Sequence, residues 1–145
     1  MKLNYHPPHL ILIHFPAALF PMDWVCSAIG LYRHDQTFAT AAFYALTGGV
    51  VLGWVAVILG FIDLARISPE KEAARQTALI HGLINTCMLI GYSVIFYLQW
   101  HGSGIAFATM PVLILKSILL LTLIIGNYLG AQLVLKHKIG TIETP

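Results

Sequence analysis

Apolar residues run along this chain in four long blocks, and the charged residues fall almost entirely between them. The blocks cover about 9–31, 38–62, 77–98 and 107–135. Each supplies about the 20 helical residues needed to cross a hydrocarbon layer about 30 Å thick. The pair Pro7-Pro8 suits the first turn of a helix, where a missing N–H costs nothing. Arg33-His34-Asp35 closes the first block, and Asp63 and Arg66 close the second. The polar loop Ser68-Pro69-Glu70-Lys71-Glu72 follows. His101-Gly102-Ser103-Gly104 separates the third block from the fourth, which ends in Lys136-His137-Lys138. Within lipid a chain must satisfy its own backbone hydrogen bonds. The pattern therefore predicts an all-α integral membrane protein, one up-down-up-down four-helix bundle over 1–145.

Composition agrees. The 145 residues are 58% hydrophobic and 10% charged, and the mean hydropathy is +0.79. A soluble domain carries about 25% charged residues. A disordered chain and a nucleic-acid-binding domain are excluded, and there is no room for a catalytic domain outside the membrane. A stand-alone enzyme is not expected. His14, Pro16, Pro21 and Asp23 interrupt the first block, which reads as a permanent span rather than a cleaved signal. The net charge of +2 gains meaning from its placement. Lys2, Arg66, Lys71, Arg75, Lys136 and Lys138 fall on one face of the bundle, and only Arg33 lies in a loop on the other. The positive-inside rule then puts both termini in the cytoplasm, with the chain a multi-pass protein of the cell inner membrane.

Small residues mark helix contacts. Gly49 and Gly53 form a GxxxG pair that Gly60 continues, and Gly126 and Gly130 form another. Such spacing suits close packing within the bundle, with a dimer face as the alternative. Cys26 and Cys87 sit at different depths on parallel spans and are read as small core residues rather than a disulfide.

Ionisable groups inside a span are costly and are candidates for function. At a rise of about 1.5 Å per residue, His14 lies about 7 Å and His81 about 6 Å into parallel spans from the same end. His6, His9, Asp63 and His137 gather at that end too, and Asn85 lies one turn deeper than His81. Three readings compete. One is a haem b held by His14 and His81 as axial ligands, since bundle cores bind cofactors through facing helices. In it Asn85 or Asp63 accepts the other ring N–H, and His9 and His137 meet the propionates. The second is zinc or copper held by His6, His9, His14, Asp63 or His81, although the spacings match no metal motif. The third is structural, with histidines hydrogen-bonded across helices and no ligand.

His34 and His101 each follow His14 and His81 by 20 residues. That is about 30 Å of helix, and at about 100° per residue nearly the opposite face. They read as interfacial loop residues. Asp23 and Lys116 lie at similar depth from the other end, about 12 Å, and are expected to pair, since each charge alone is costly. A proton-conducting step is the alternative, and it would need more polar stations than the chain offers.

The motifs carry a resemblance. His6-Pro7-Pro8-His9 followed by His14-Phe15-Pro16-Ala17-Ala18-Leu19 resembles the "HP…HFPIAL" opening of a family of bacterial four-helix membrane proteins, domain of unknown function 2231. Gly60-Phe61-Ile62-Asp63 resembles its "GxxD" motif, and His81 with Asn85 its "HxxxN" motif. Asn127-Tyr128-Leu129-Gly130-Ala131-Gln132-Leu133-Val134 and His137 resemble its closing "LGGxLVxxHG" segment, with Ala131 and Lys138 in place of glycines. The resemblance implies the four-span topology. Relatives joined to or encoded near c-type cytochrome domains imply electron transfer. The expected function is thus a small cytochrome b-like electron carrier, or the haem-bearing membrane subunit of a respiratory complex. It would pass electrons between a quinol and a partner such as a c-type cytochrome. The alternatives are a haem-free structural subunit of a larger assembly and a His/Asp metal-binding protein. Membrane lipid is an expected contact and nucleic acid is not. Self-association and association with other chains both stay open.

Overall fold

A computed structural model describes residues 8–102 and 105–139. The described residues form five helices: α1 Pro8–Leu12, α2 His14–Arg33, α3 Gln36–Arg66, α4 Glu72–Trp100 and α5 Met110–Leu135. The last four are each long and apolar enough to cross a membrane, and no strand occurs among the described residues. The expected all-α four-span bundle is what the chain forms.

The helix ends differ from the hydropathy blocks, because backbone hydrogen bonding rather than apolarity delimits a helix. The first block is not one uninterrupted helix. Pro16 has no N–H to give to Leu12, so the ladder lapses between α1 and α2, although Ile13 still bonds to His9 at 3.0 Å and Ala17 to Ile13 at 3.2 Å. His34, left-handed at φ 52°, ends α2. Asp35 caps α3 at once by accepting from the Thr37 N–H at 2.8 Å. The α3 helix has 31 residues, or about 46 Å at 1.5 Å each, so its last turn with Asp63 and Arg66 projects past the apolar layer. The α4 helix starts earlier than its block, at Glu72, whose charge suits a helix N-terminus. The α5 helix starts later, at Met110, with Pro111 in the first turn and Phe107 outside it.

The packing is that of two antiparallel hairpins. The α2 helix lies along α3 and α4 along α5, while α3–α4 and α2–α5 contacts close the ring and α1 rests on α3. At the centre Phe20 and Tyr92, both fully buried, stack with centroids 3.9 Å apart and planes 10° apart. Leu46, Met88, Leu89, Leu119 and Leu123 fill the core around them. The outer faces remain apolar, as at Leu121 and Ile124, which suits lipid rather than water.

The glycines of the GxxxG pairs receive side chains rather than backbones. A Cβ on Gly49 would meet the Phe20 ring at 2.7 Å, and one on Gly53 would meet Leu89 at 2.8 Å. The GxxxG pairs therefore serve packing inside the bundle. Cys26 is buried, Cys87 is exposed, and both are free thiols.

Candidate functional site

A cavity of about 1080 Å³ opens between the two hairpins at the end that carries the α3–α4 turn. Cofactor pockets span about 300–1,000 Å³, so the space admits a large ligand. His9, His14, His81, Asn85 and Asp63 all contribute to its walls. His137 is not among the described lining residues, and its Nε2 lies 3.5 Å from the Thr77 hydroxyl. His6 lies outside the described residues.

Two of these histidines are held in the same way. On α1, His9 Nδ1 donates to the Ala56 carbonyl at 2.8 Å. One turn further along α3 stands Gly60, where a Cβ would come within 3.1 Å of the His9 ring. On α4, His81 Nδ1 donates to the Gly126 carbonyl at 2.8 Å. One turn further along α5 stands Gly130, where a Cβ would come within 2.8 Å of the His81 ring. The arrangement recurs in each hairpin, with the stacked Phe20 and Tyr92 below it, so the site has an approximate two-fold character.

A carbonyl only accepts, so both Nδ1 atoms carry a proton, and in the neutral ring each Nε2 then presents a lone pair. That tautomer is the one in which imidazole binds a metal, with its other N–H oriented by a backbone carbonyl. Neither Nε2 has a hydrogen-bond partner among the described residues.

The other expected site residues have different surroundings. His14 is exposed at the rim, and its Nδ1 lies 3.3 Å from the Ile11 carbonyl of its own chain segment. The Gly126 carbonyl, rather than Asn85 or Asp63, takes the His81 Nδ1–H. Asn85 donates to the His81 carbonyl at 2.9 Å, and its amide lies 3.2 Å from His81 Nδ1. The same amide fills the gap at Gly126, where a Cβ would meet it at 2.5 Å. Asp63 faces Arg66 at 3.5 Å on the helix surface. Sequence depth alone placed His14 level with His81. The same sequence reading gave His9 a propionate contact, and the structure sets its ring on α3 in the way that it sets His81 on α5.

Among the described residues no group of three or more His, Cys, Asp and Glu converges to hold a bare metal ion. Two imidazoles on one cavity instead match the donor set of a bis-histidine haem iron, whose other four ligands come from the ring. Ala17, Gly53 and Ala56 line the cavity without filling it, and buried Thr86 Oγ1 in the same wall has no hydrogen-bond partner among the described residues. The residues present fit the group.

Away from the cavity, Lys116 Nζ lies 2.6 Å from Asp23 Oδ1 and 2.9 Å from Ser27 Oγ, with Asp23 and Lys116 fully buried. The expected ion pair is formed. Asp23 Oδ2 has no hydrogen-bond partner among the described residues.

This chain belongs to the family described as predicted membrane protein (DUF2231), whose model matches residues 5–143. No curated protein and no solved structure matches it.

Proposed function

We propose that this member of the DUF2231 family is a small membrane electron carrier, or the haem-bearing subunit of a respiratory complex, with one b-type haem held between His9 and His81. One observation carries the reading. Two histidines from different hairpins each give Nδ1–H to a backbone carbonyl and pack on a glycine, which leaves two Nε2 lone pairs on one cavity. His9 replaces His14 as the partner of His81, because His14 is exposed and bonds within its own segment.

The bound iron supplies one-electron transfer, with a quinol and a c-type cytochrome as the expected exchange partners. The chain's own residues hold, orient and dry the site. Ala56 and Gly126 carbonyls fix the ring tautomers. Phe20, Leu89 and Leu123 keep water from the inner end. The positive-inside rule puts the site at the cytoplasmic end of the inner membrane.

The test is an absorption spectrum of the purified protein, oxidised and dithionite-reduced, from cells supplied with haem. The wild type should show a Soret band and the sharp reduced bands of a six-coordinate b haem. His9→Ala and His81→Ala should each lose the six-coordinate spectrum, and His14→Ala should retain it. Loss with His14→Ala and retention with His9→Ala would restore His14 as the ligand. A wild type without a Soret band sinks the reading and leaves a haem-free structural subunit.

A further inference from the structure

His81 and Asn85 stand one turn apart on α4, and Gly126 and Gly130 stand one turn apart on α5. The two pairs mate. The His81 ring lies over Gly130, where a Cβ would come within 2.8 Å of it, and the Asn85 amide lies over Gly126, where a Cβ would come within 2.5 Å. The Gly126 carbonyl takes the His81 Nδ1–H at 2.8 Å. The Asn85 amide also stands 2.9 Å from the His81 carbonyl and 3.2 Å from His81 Nδ1. A carbonyl accepts and never donates, so the atom facing it is the amide nitrogen and not the amide oxygen. The same nitrogen faces His81 Nδ1, and it cannot take the Nδ1 proton. The other histidine lacks this neighbour in the sequence. Four residues after His9 comes Ile13, and the carbonyl that holds His9 belongs to Ala56, which carries the methyl that Gly126 lacks.

We infer that Asn85 is a positioning residue for His81: its amide nitrogen leaves the Gly126 carbonyl as the sole acceptor of the His81 Nδ1–H, which locks the ring in one tautomer and sets the reduction potential of a haem bound there from the α4 side. The potential rests on the haem reading of the same cavity, and the tautomer does not. The partner of a ligand's second N–H governs how basic the ligand is. A carboxylate at that place makes a stronger, charge-assisted hydrogen bond than a carbonyl. It would draw the Nδ1 proton and enrich Nε2 in electrons, which stabilises oxidised iron and lowers the potential. An amide has the shape of a carboxylate without its charge. Asn85 therefore fills the slot over Gly126 and keeps that stronger acceptor out. The two ligands become inequivalent, because Ile13 and Ala56 offer His9 no amide.

Two measurements on the full-length protein in detergent test this. The first is nitrogen NMR of the haem-free protein with isotope-labelled histidine rings, at alkaline pH where the rings are uncharged. The His81 signals are those lost in His81→Ala. The wild type should show Nδ1 protonated and Nε2 bare, without averaging between the two. Asn85→Ala should show the averaged signals of a ring that exchanges tautomers. Asn85→Asp should keep the Nδ1 proton and shift the Nδ1 signal as a stronger acceptor does. The second is a redox titration of the haem-loaded protein. Asn85→Asp should favour the oxidised form about tenfold, or about 59 mV for one electron. A His81 tautomer that stays fixed in Asn85→Ala overturns the role of Asn85. So does an unchanged potential in haem-loaded Asn85→Asp. A potential lowered with no change at Nδ1 overturns it too, since the field of a new charge then accounts for the shift. Should Asn85→Asp not fold, the Asn85→Ala tautomer decides. A wild type without a Soret band ends the haem reading, while the nitrogen signals still decide whether Asn85 positions His81.

Discussion

At the scale of single residues, most polar atoms in the apolar interior are answered by another residue, with Thr86 Oγ1 and Asp23 Oδ2 as exceptions among the described residues. Asp23 and Lys116 are the clearest case, at 2.6 Å with Ser27 as third member. Breaking a buried pair leaves one charge uncompensated and costs about 3–5 kcal/mol. Asp23→Asn alone should lower thermal stability in detergent by that order. Adding Lys116→Met should recover much of the loss, because no lone ammonium then remains. A double variant no more stable than Asp23→Asn would show that the pair is not coupled. The glycines give a second residue-scale prediction. Gly130→Ala drives a methyl to 2.8 Å from the His81 ring, whereas a Cβ on Gly82 meets nothing within 4 Å. Gly130→Ala should therefore weaken haem retention, read from the ratio of Soret to protein absorbance. Gly82→Ala should leave that ratio alone and stabilise its helix by about 0.5–1 kcal/mol. Equal effects from the two would separate His81 placement from the glycine seat.

At the scale of elements, the decisive feature is the lapse between α1 and α2. Pro16 frees the Leu12 carbonyl, and α1 can then lie on α3 with His9 at Ala56. Pro16→Ala restores the missing donor and favours one continuous helix. The expected outcome is a slight gain of helical circular dichroism, together with weaker haem binding as His9 is drawn from Ala56. Unchanged haem binding would show that the lapse does not position His9. The hydropathy blocks revealed the four long helices because lipid demands about 20 apolar residues per crossing. They did not reveal this break, since Leu10, Ile11 and Ile13 continue the apolar run across it. The signal present was Pro16, which as the third residue of α2 removes one hydrogen bond without removing hydropathy.

At the scale of the whole molecule, two hairpins repeat one device, a histidine fixed by a carbonyl and seated on a glycine, around the stacked Phe20 and Tyr92. The cavity lies between the hairpins and at one end, and the basic residues gather at that end. Arg66, Lys71, Arg75, Lys136 and Lys138 against Arg33 give a charge bias of the kind from which the positive-inside rule predicts cytoplasmic termini. Reporters fused at Pro145 should accordingly be active as cytoplasmic fusions and silent as periplasmic ones. The reverse pattern would place both the cavity mouth and its cations on the far side of the membrane.

The sequence by itself determined the membrane class, the four spans, the family and the depth at which each polar group sits. The class, the spans and the depths follow from hydropathy and rise per residue, which are local quantities, and the family from its motifs. The Asp23–Lys116 pair was legible for the same reason, because two isolated opposite charges at one depth have few alternatives to each other. Which histidine faces which was not legible. His9 and His14 differ by little more than a turn along the chain. Only the packing of α1 on α3, after the lapse at Pro16, turns one to a carbonyl within the bundle and leaves the other exposed at the rim. Partners such as the Ala56 and Gly126 carbonyls carry no side-chain signature, so the tertiary structure alone could assign them.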